Sequence, residues 1–115
     1  MHGPHTFSLS CFFSSASFVK EVVGAHPVVV FSKSYCPYCT KAKKALDATG
    51  AKFHLLELDQ MDNGSAIQDA LVAVTGQRTV PNVFIAGSSI GGGDDTARLQ
   101  RSGQLLTMVK DAGAV

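Results

Sequence analysis

Tryptophan is absent from this chain and cysteine is scarce: Cys11, Cys36 and Cys39 are the only three in 115 residues. A small secreted fold stapled by disulfides uses more, so a reducing, cytoplasmic setting is expected. No apolar run approaches the roughly 20 residues that span a bilayer. Neither sign of charge dominates: ten Lys and Arg against nine Asp and Glu leave a formal net charge of +1. That excludes a general affinity for nucleic acid or an anionic membrane surface. No Lys or Arg precedes the short stretch Leu9-Ser10-Cys11-Phe12-Phe13, which counts against a secretory signal. The missing Arg counts equally against a transit segment. Residues 1–14 therefore read as a disordered extension and residues 15–115 as one domain.

Hydrophobic residues make up 45% of the chain, enough for an ordinary core. A first helix is expected from Ser15 or Ser17, either of which can cap it, with Phe18, Val19, Val22 and Val23 as its apolar stripe. Val28 to Phe31 is apolar throughout, as in a parallel strand covered on both faces. A helix from about Tyr38 to Thr49 and a strand from Phe53 to Leu58 follow, then a loop over Asp59 to Asn63. Ile67, Ala70, Leu71 and Val74 recur at helical spacing in a third helix that Gly76 stops. Asn82 to Ala86 and Ser88 to Ile90 read as a hairpin around Gly87, and two helices, from Asp94 and over Leu105 to Ala112, close the chain. The order α-β-α-β-α-β-β-α-α is that of a small α/β layer fold with a right-handed first crossover.

Cys36-Pro37-Tyr38-Cys39 stands where the first strand gives way to a helix. A C-x-x-C pair in a βαβ setting points to thiol–disulfide exchange. The attacking species is thiolate, and an ordinary thiol is only a few per cent ionised at neutral pH. Cys36, just ahead of the helix, can receive first-turn N–H groups and feel the positive end of the helix dipole. Lys33 and Lys41 add positive charge nearby. Pro37 suits the first helical position, where a missing N–H costs little. Cys39 shares a helix side with Ala42, Leu46 and Thr49, while Lys41, Lys43 and Lys44 lie mostly on the other. Cys36 is therefore assigned as nucleophile, and Cys39 as the shielded resolving thiol. The competing reading is half of a zinc site, which needs two further ligands. Cys11, His2, His5, His26 and His54 form no second paired motif, so no metal is expected.

Two further pieces carry chemistry. Thr79-Val80-Pro81 precedes a strand. Its proline is either a trans strand-initiator or a cis residue that turns the Val80 backbone outward as a partner for an extended peptide. Gly91-Gly92-Gly93-Asp94-Asp95 combines close backbone approach, a helix N-terminus suited to an anion, and a carboxylate suited to an ammonium. Together these match the two charged ends of an α-amino acid, unless the aspartates merely cap the helix. Gln68, at the edge of an apolar stripe, is either a solvated residue or a hydrogen-bonding arm.

In order and spacing, these three motifs resemble those of the glutaredoxin family, most closely its dithiol CPYC members of plant type. The resemblance covers Phe18 to the C-terminus and includes Ser32-Lys33-Ser34-Tyr35; the Trp-Cys-Gly-Pro-Cys signature of thioredoxins is missing. It implies a thioredoxin-like fold with a four-stranded mixed sheet flanked by helices. It also implies glutathione as cosubstrate, no tightly bound cofactor, and a monomer acting on glutathionylated and disulfide-containing client proteins. By position, Lys33 and Gln68 would hold the glycyl carboxylate of glutathione, and Tyr38 would line the groove. Thr79, Val80 and a cis Pro81 would meet the cysteinyl part, and Gly93 and Asp94 the γ-glutamyl end. Many relatives carry Cys where Gly93 stands, so any thiol chemistry there is lost. Some family members instead bridge two chains through an iron–sulfur cluster; Pro37 disfavours that alternative, since Gly at that place marks the better cluster binders.

Overall fold

A computed structural model describes residues 14–115. The expectations for the N-terminal extension and for Cys11 lie outside the described residues. The first helix, α1, spans Ser15–Ala25 and is capped by Ser14, whose hydroxyl accepts from the Ser17 N–H at 3.0 Å. The cap thus sits one residue before Ser15, the nearer of the two serines considered. Strand β1, Val28–Ser32, is buried along its whole length. Then come α2 (Pro37–Ala48), β2 (His54–Glu57) and a 3-10 turn, Leu58–Gln60. That turn occupies the start of the expected loop and is too short to leave a period. Helix α3 spans Gly64–Thr75 and ends in the left-handed Gly76, followed by β3 (Asn82–Ile85) and β4 (Ser88–Gly91). Helices α4 (Gly93–Ser102) and α5 (Gln104–Asp111) complete the chain.

The four strands form one mixed sheet in the order β2-β1-β3-β4. β1 runs parallel to β2 and antiparallel to β3, and β3 antiparallel to β4. Alternation along β1 divides the core. Val28 and Val30 pack with Ala42, Ala45 and Leu46 of α2 and Leu105 and Val109 of α5. Val29 and Phe31 face Val19, Val22 and Val23 of α1 and Ile67 and Leu71 of α3. Because both faces are covered, β1 has no polar side to show, which is why its sequence is apolar without a period of two. The β3–β4 turn places Ala86 at φ 52 and Gly87 at φ 82, so the hairpin turns on both residues and not on Gly87 alone.

This topology collects the motifs. The C-terminal end of β1 leads into α2. Asn82, the first residue of β3, pairs with Phe31 at that same end, and Gly91, the last of β4, pairs with Val83. The loops before β3 and after β4 therefore meet the start of α2.

Candidate active site

Cys36 is the N-cap of α2, with Pro37 in the first turn. Its sulfur accepts the Cys39 N–H at 3.3 Å, and it lies 3.8 Å from the Val80 carbonyl oxygen. The side chain is partly exposed, and Cys36 and Cys39 both carry free sulfurs. Cys39, one turn into the helix, has no exposed surface, and its sulfur accepts the Lys33 N–H at 3.4 Å. Burial pushes the Cys39 thiol above its ordinary value. Its hydrogen bond to the Cys36 sulfur acts the same way, while the Lys33 amide and the Ser32 hydroxyl pull against both. One sulfur thus stands at the surface beside helix donors, and the other waits beneath it as a thiol.

Val80-Pro81 is the cis peptide. Thr79, Val80 and Pro81 line a hollow of about 400 Å³ with Tyr38, Gly93 and Asp94. At Gly93 a Cβ would stand 2.6 Å from the Tyr38 carbonyl oxygen, so the bare glycine lets the start of α4 close onto the first turn of α2. The two aspartates divide their roles. Asp95 accepts the Gly92 N–H at 3.0 Å and pairs with Arg98 at 2.6 Å. The Gly92 amide, then the Arg98 guanidinium, hold its carboxyl below the usual range. Both line the hollow, but Asp95 is held by the start of the helix, while Asp94 meets the Lys41 ammonium at 2.6 Å.

Lys33 and Gln68 line a second hollow, of about 320 Å³, with Tyr35, Asp59 and Arg78. Gln68 is buried, and its amide nitrogen donates to the Arg78 carbonyl at 3.0 Å. It is thus an arm that holds the loop before β3, resolving the choice left open between arm and solvated residue. Asp59 accepts from both the hydroxyl and the amide of Ser34, and these bonds hold its carboxyl below the usual range.

Lys41 and Lys44 are exposed, as expected, and Lys43 less so. Lys41 spends its charge on Asp94, and Lys43 is only partly exposed, pairing with Glu57 at 3.0 Å. Thr49, grouped with the buried face, is the half-buried C-cap of α2; Ala45 takes its place in the core.

Gln77 escaped the sequence reading. Its amide donates to the carbonyls of Thr79 at 3.0 Å and Pro81 at 3.2 Å, clamping the segment that presents Val80. Asn82, fully buried, supports the same segment through Thr75 and Ser89. The only signal was a polar residue between the stop at Gly76 and Thr79.

Known proteins are similar to this chain in sequence and fold. The glutaredoxin family model matches residues 28–90. A glutaredoxin of Ricinus communis is 57% identical over 96 residues, which cover 84% of this chain and 94% of that protein. Glutaredoxin-C2 of Arabidopsis thaliana is 53% identical over 84% of this chain and 86% of its own length. The crystal structure of a buckwheat glutaredoxin–glutathione complex superposes with a TM-score of 0.84 at 48% identity, over 88% of this chain and 92% of that one.

Proposed function

Because this chain belongs to the glutaredoxin family of glutathione-dependent oxidoreductases, we propose that it reduces protein–glutathione mixed disulfides and, through its second cysteine, protein disulfides. Cys36 thiolate attacks the glutathione sulfur of the mixed disulfide. A Cys36–glutathione disulfide forms, the old disulfide breaks, and the client leaves as thiolate and takes up a proton. A second glutathione, as thiolate, attacks the bound glutathione sulfur, releasing oxidised glutathione and Cys36 thiolate. On a protein disulfide, Cys36 thiolate attacks one client sulfur instead; the client disulfide breaks, its other sulfur leaves as thiolate and takes up a proton, and the client is joined to Cys36. Cys39 then gives up its proton and attacks the Cys36 sulfur, leaving the Cys36–Cys39 disulfide and a reduced client.

The observation that carries this reading is the setting of the Cys36 sulfur. It lies at a helix N-cap, 3.8 Å from the Val80 carbonyl, and the Gln77–Pro81 loop lines one hollow through Thr79, Val80 and Pro81 and another through Arg78. Glutathione laid across the sulfur would place its glycyl carboxylate by Lys33, with Arg78 beside it and Gln68 bracing the loop. Its cysteinyl backbone would pair with Val80, alongside Thr79, Pro81 and Tyr38. Its γ-glutamyl end would reach Gly93 and Asp94. The complex of the buckwheat relative with glutathione supports this ligand.

Cys39→Ser separates the two activities. Deglutathionylation should persist and reduction of protein disulfides should fall; loss of both would overturn the assignment of Cys36 as the sole attacking sulfur.

A further inference from the structure

The carboxylate best placed for a ligand ammonium already holds one. The Lys41 Nζ lies 2.6 Å from Asp94 Oδ1, and the two side chains are 46% and 65% exposed. Asp94 lines the hollow with Val80, Pro81 and Gly93, whereas the neighbouring Asp95 is occupied by the Gly92 amide and by Arg98. A ligand ammonium must therefore compete with Lys41 for Asp94, at its second oxygen or in place of the lysine. Either way, the Lys41 charge is left beside its own.

Resting on the reading that Asp94 receives the α-ammonium of glutathione, we propose that Lys41 is a specificity-determining residue. It reserves Asp94 for a zwitterion. In an α-amino acid the carboxylate is bonded to the same carbon as the ammonium, so it arrives within reach of Lys41. One ion pair is exchanged for two crossed pairs, and no charge is left alone. A bare amine brings no carboxylate and meets both the competition and the repulsion. An acid without the amine finds Lys41 still engaged with Asp94, yet is drawn by its charge. Exposed ion pairs of this kind change an equilibrium constant by at most about fivefold, which sets the scale of the effect.

The test uses three mixed disulfides of 2-mercaptoethanol: with glutathione, with its analogue lacking the α-carboxylate, and with its analogue lacking the α-amine. kcat/KM is measured for the full chain and for Lys41→Gln. The variant should gain about two- to fivefold on the decarboxylated analogue and lose a similar factor on the deaminated one. Because both are read on one preparation, a loss of folded protein cannot produce opposite shifts. Unchanged values, or shifts in the same direction, overturn the proposal. Asp94→Asn distinguishes the underlying reading. It should weaken glutathione and the decarboxylated analogue while sparing the deaminated one. If Asp94→Asn moves none of the three, the placement of the ammonium fails and the role of Lys41 fails with it. If Asp94→Asn discriminates and Lys41→Gln does not, only the role of Lys41 fails.

Discussion

Cys36 and Cys39 are the same residue type one helical turn apart, and their surroundings make them different reagents. Cys36 caps α2 at the surface, while Cys39 is enclosed and its thiol is pushed up by burial. A raised value keeps the proton on Cys39 at neutral pH, so closure of the Cys36–Cys39 disulfide should accelerate as pH rises into the alkaline range. Stopped-flow closure from a Cys36 mixed disulfide checks this; a rate already level at neutral pH would contradict it. The pair, Pro81 and the glycine run were legible because each has a specific chemical reason for its residue type. Which aspartate caps and which pairs with Lys41 was not legible, since both stand in the first turn of α4. Gln77 was hidden for another reason: its role is to hold two carbonyls of its own loop, and local sequence does not reveal where a long polar side chain turns back. Gln77→Ala frees those carbonyls, and one hydrogen bond is worth about 1 kcal/mol. The kcat/KM for a glutathionylated substrate should fall about fivefold, and the melting temperature should drop by about 4–8 °C.

At the scale of elements, the sequence placed the helices and strands of the described residues within about a residue or two of their observed ends, though it offered no end for α4. A further exception is the 3-10 turn Leu58–Gln60, three residues that bury Leu58. Side-chain pairing was the less readable part. Lys43 belongs to a helix face that looks charged, yet it reaches Glu57 at the end of β2, a partner 14 residues away. Helix α4 depends on Asp95, which satisfies the Gly92 amide at its start. Asp95→Ala should cost about 1 kcal/mol, as loss of a helix cap does. Because the carboxyl is held below its usual range, its contribution is complete at neutral pH. It is lost as pH falls through the lowered value, below about 4. Thermal melts of the variant and the parent chain should therefore differ at pH 7 and converge in acid; equal melts at pH 7 would contradict the capping role.

Across the whole molecule, the mixed sheet separates two ends. The catalytic end gathers loops 33–36, 77–81 and 91–94. Away from it, His26 and His54 stack with ring centroids 4.0 Å apart beside Lys52 and the C-terminal residues. Burial, then the charge of His26, lower the value of His54. The unfolded chain therefore takes up a proton at a pH where the folded chain does not. Stability should fall as pH drops below about 6.5, and His54→Phe should flatten that fall in melts between pH 7 and 5. The sequence supplied the parts of the catalytic end, but only the antiparallel return of β3 explains their meeting. It sets Asn82 beside Phe31 and brings Val80 to Cys36. In the proposed mechanism Cys36 attacks the glutathione sulfur and not the client sulfur. Cys39→Ser cannot resolve an adduct internally, so it should retain whatever Cys36 captures from a glutathionylated protein. Intact and peptide mass spectrometry should find one glutathionyl group on Cys36 and a free client thiol. A client joined to Cys36, or glutathione bound elsewhere, would rule out attack at the glutathione sulfur by Cys36.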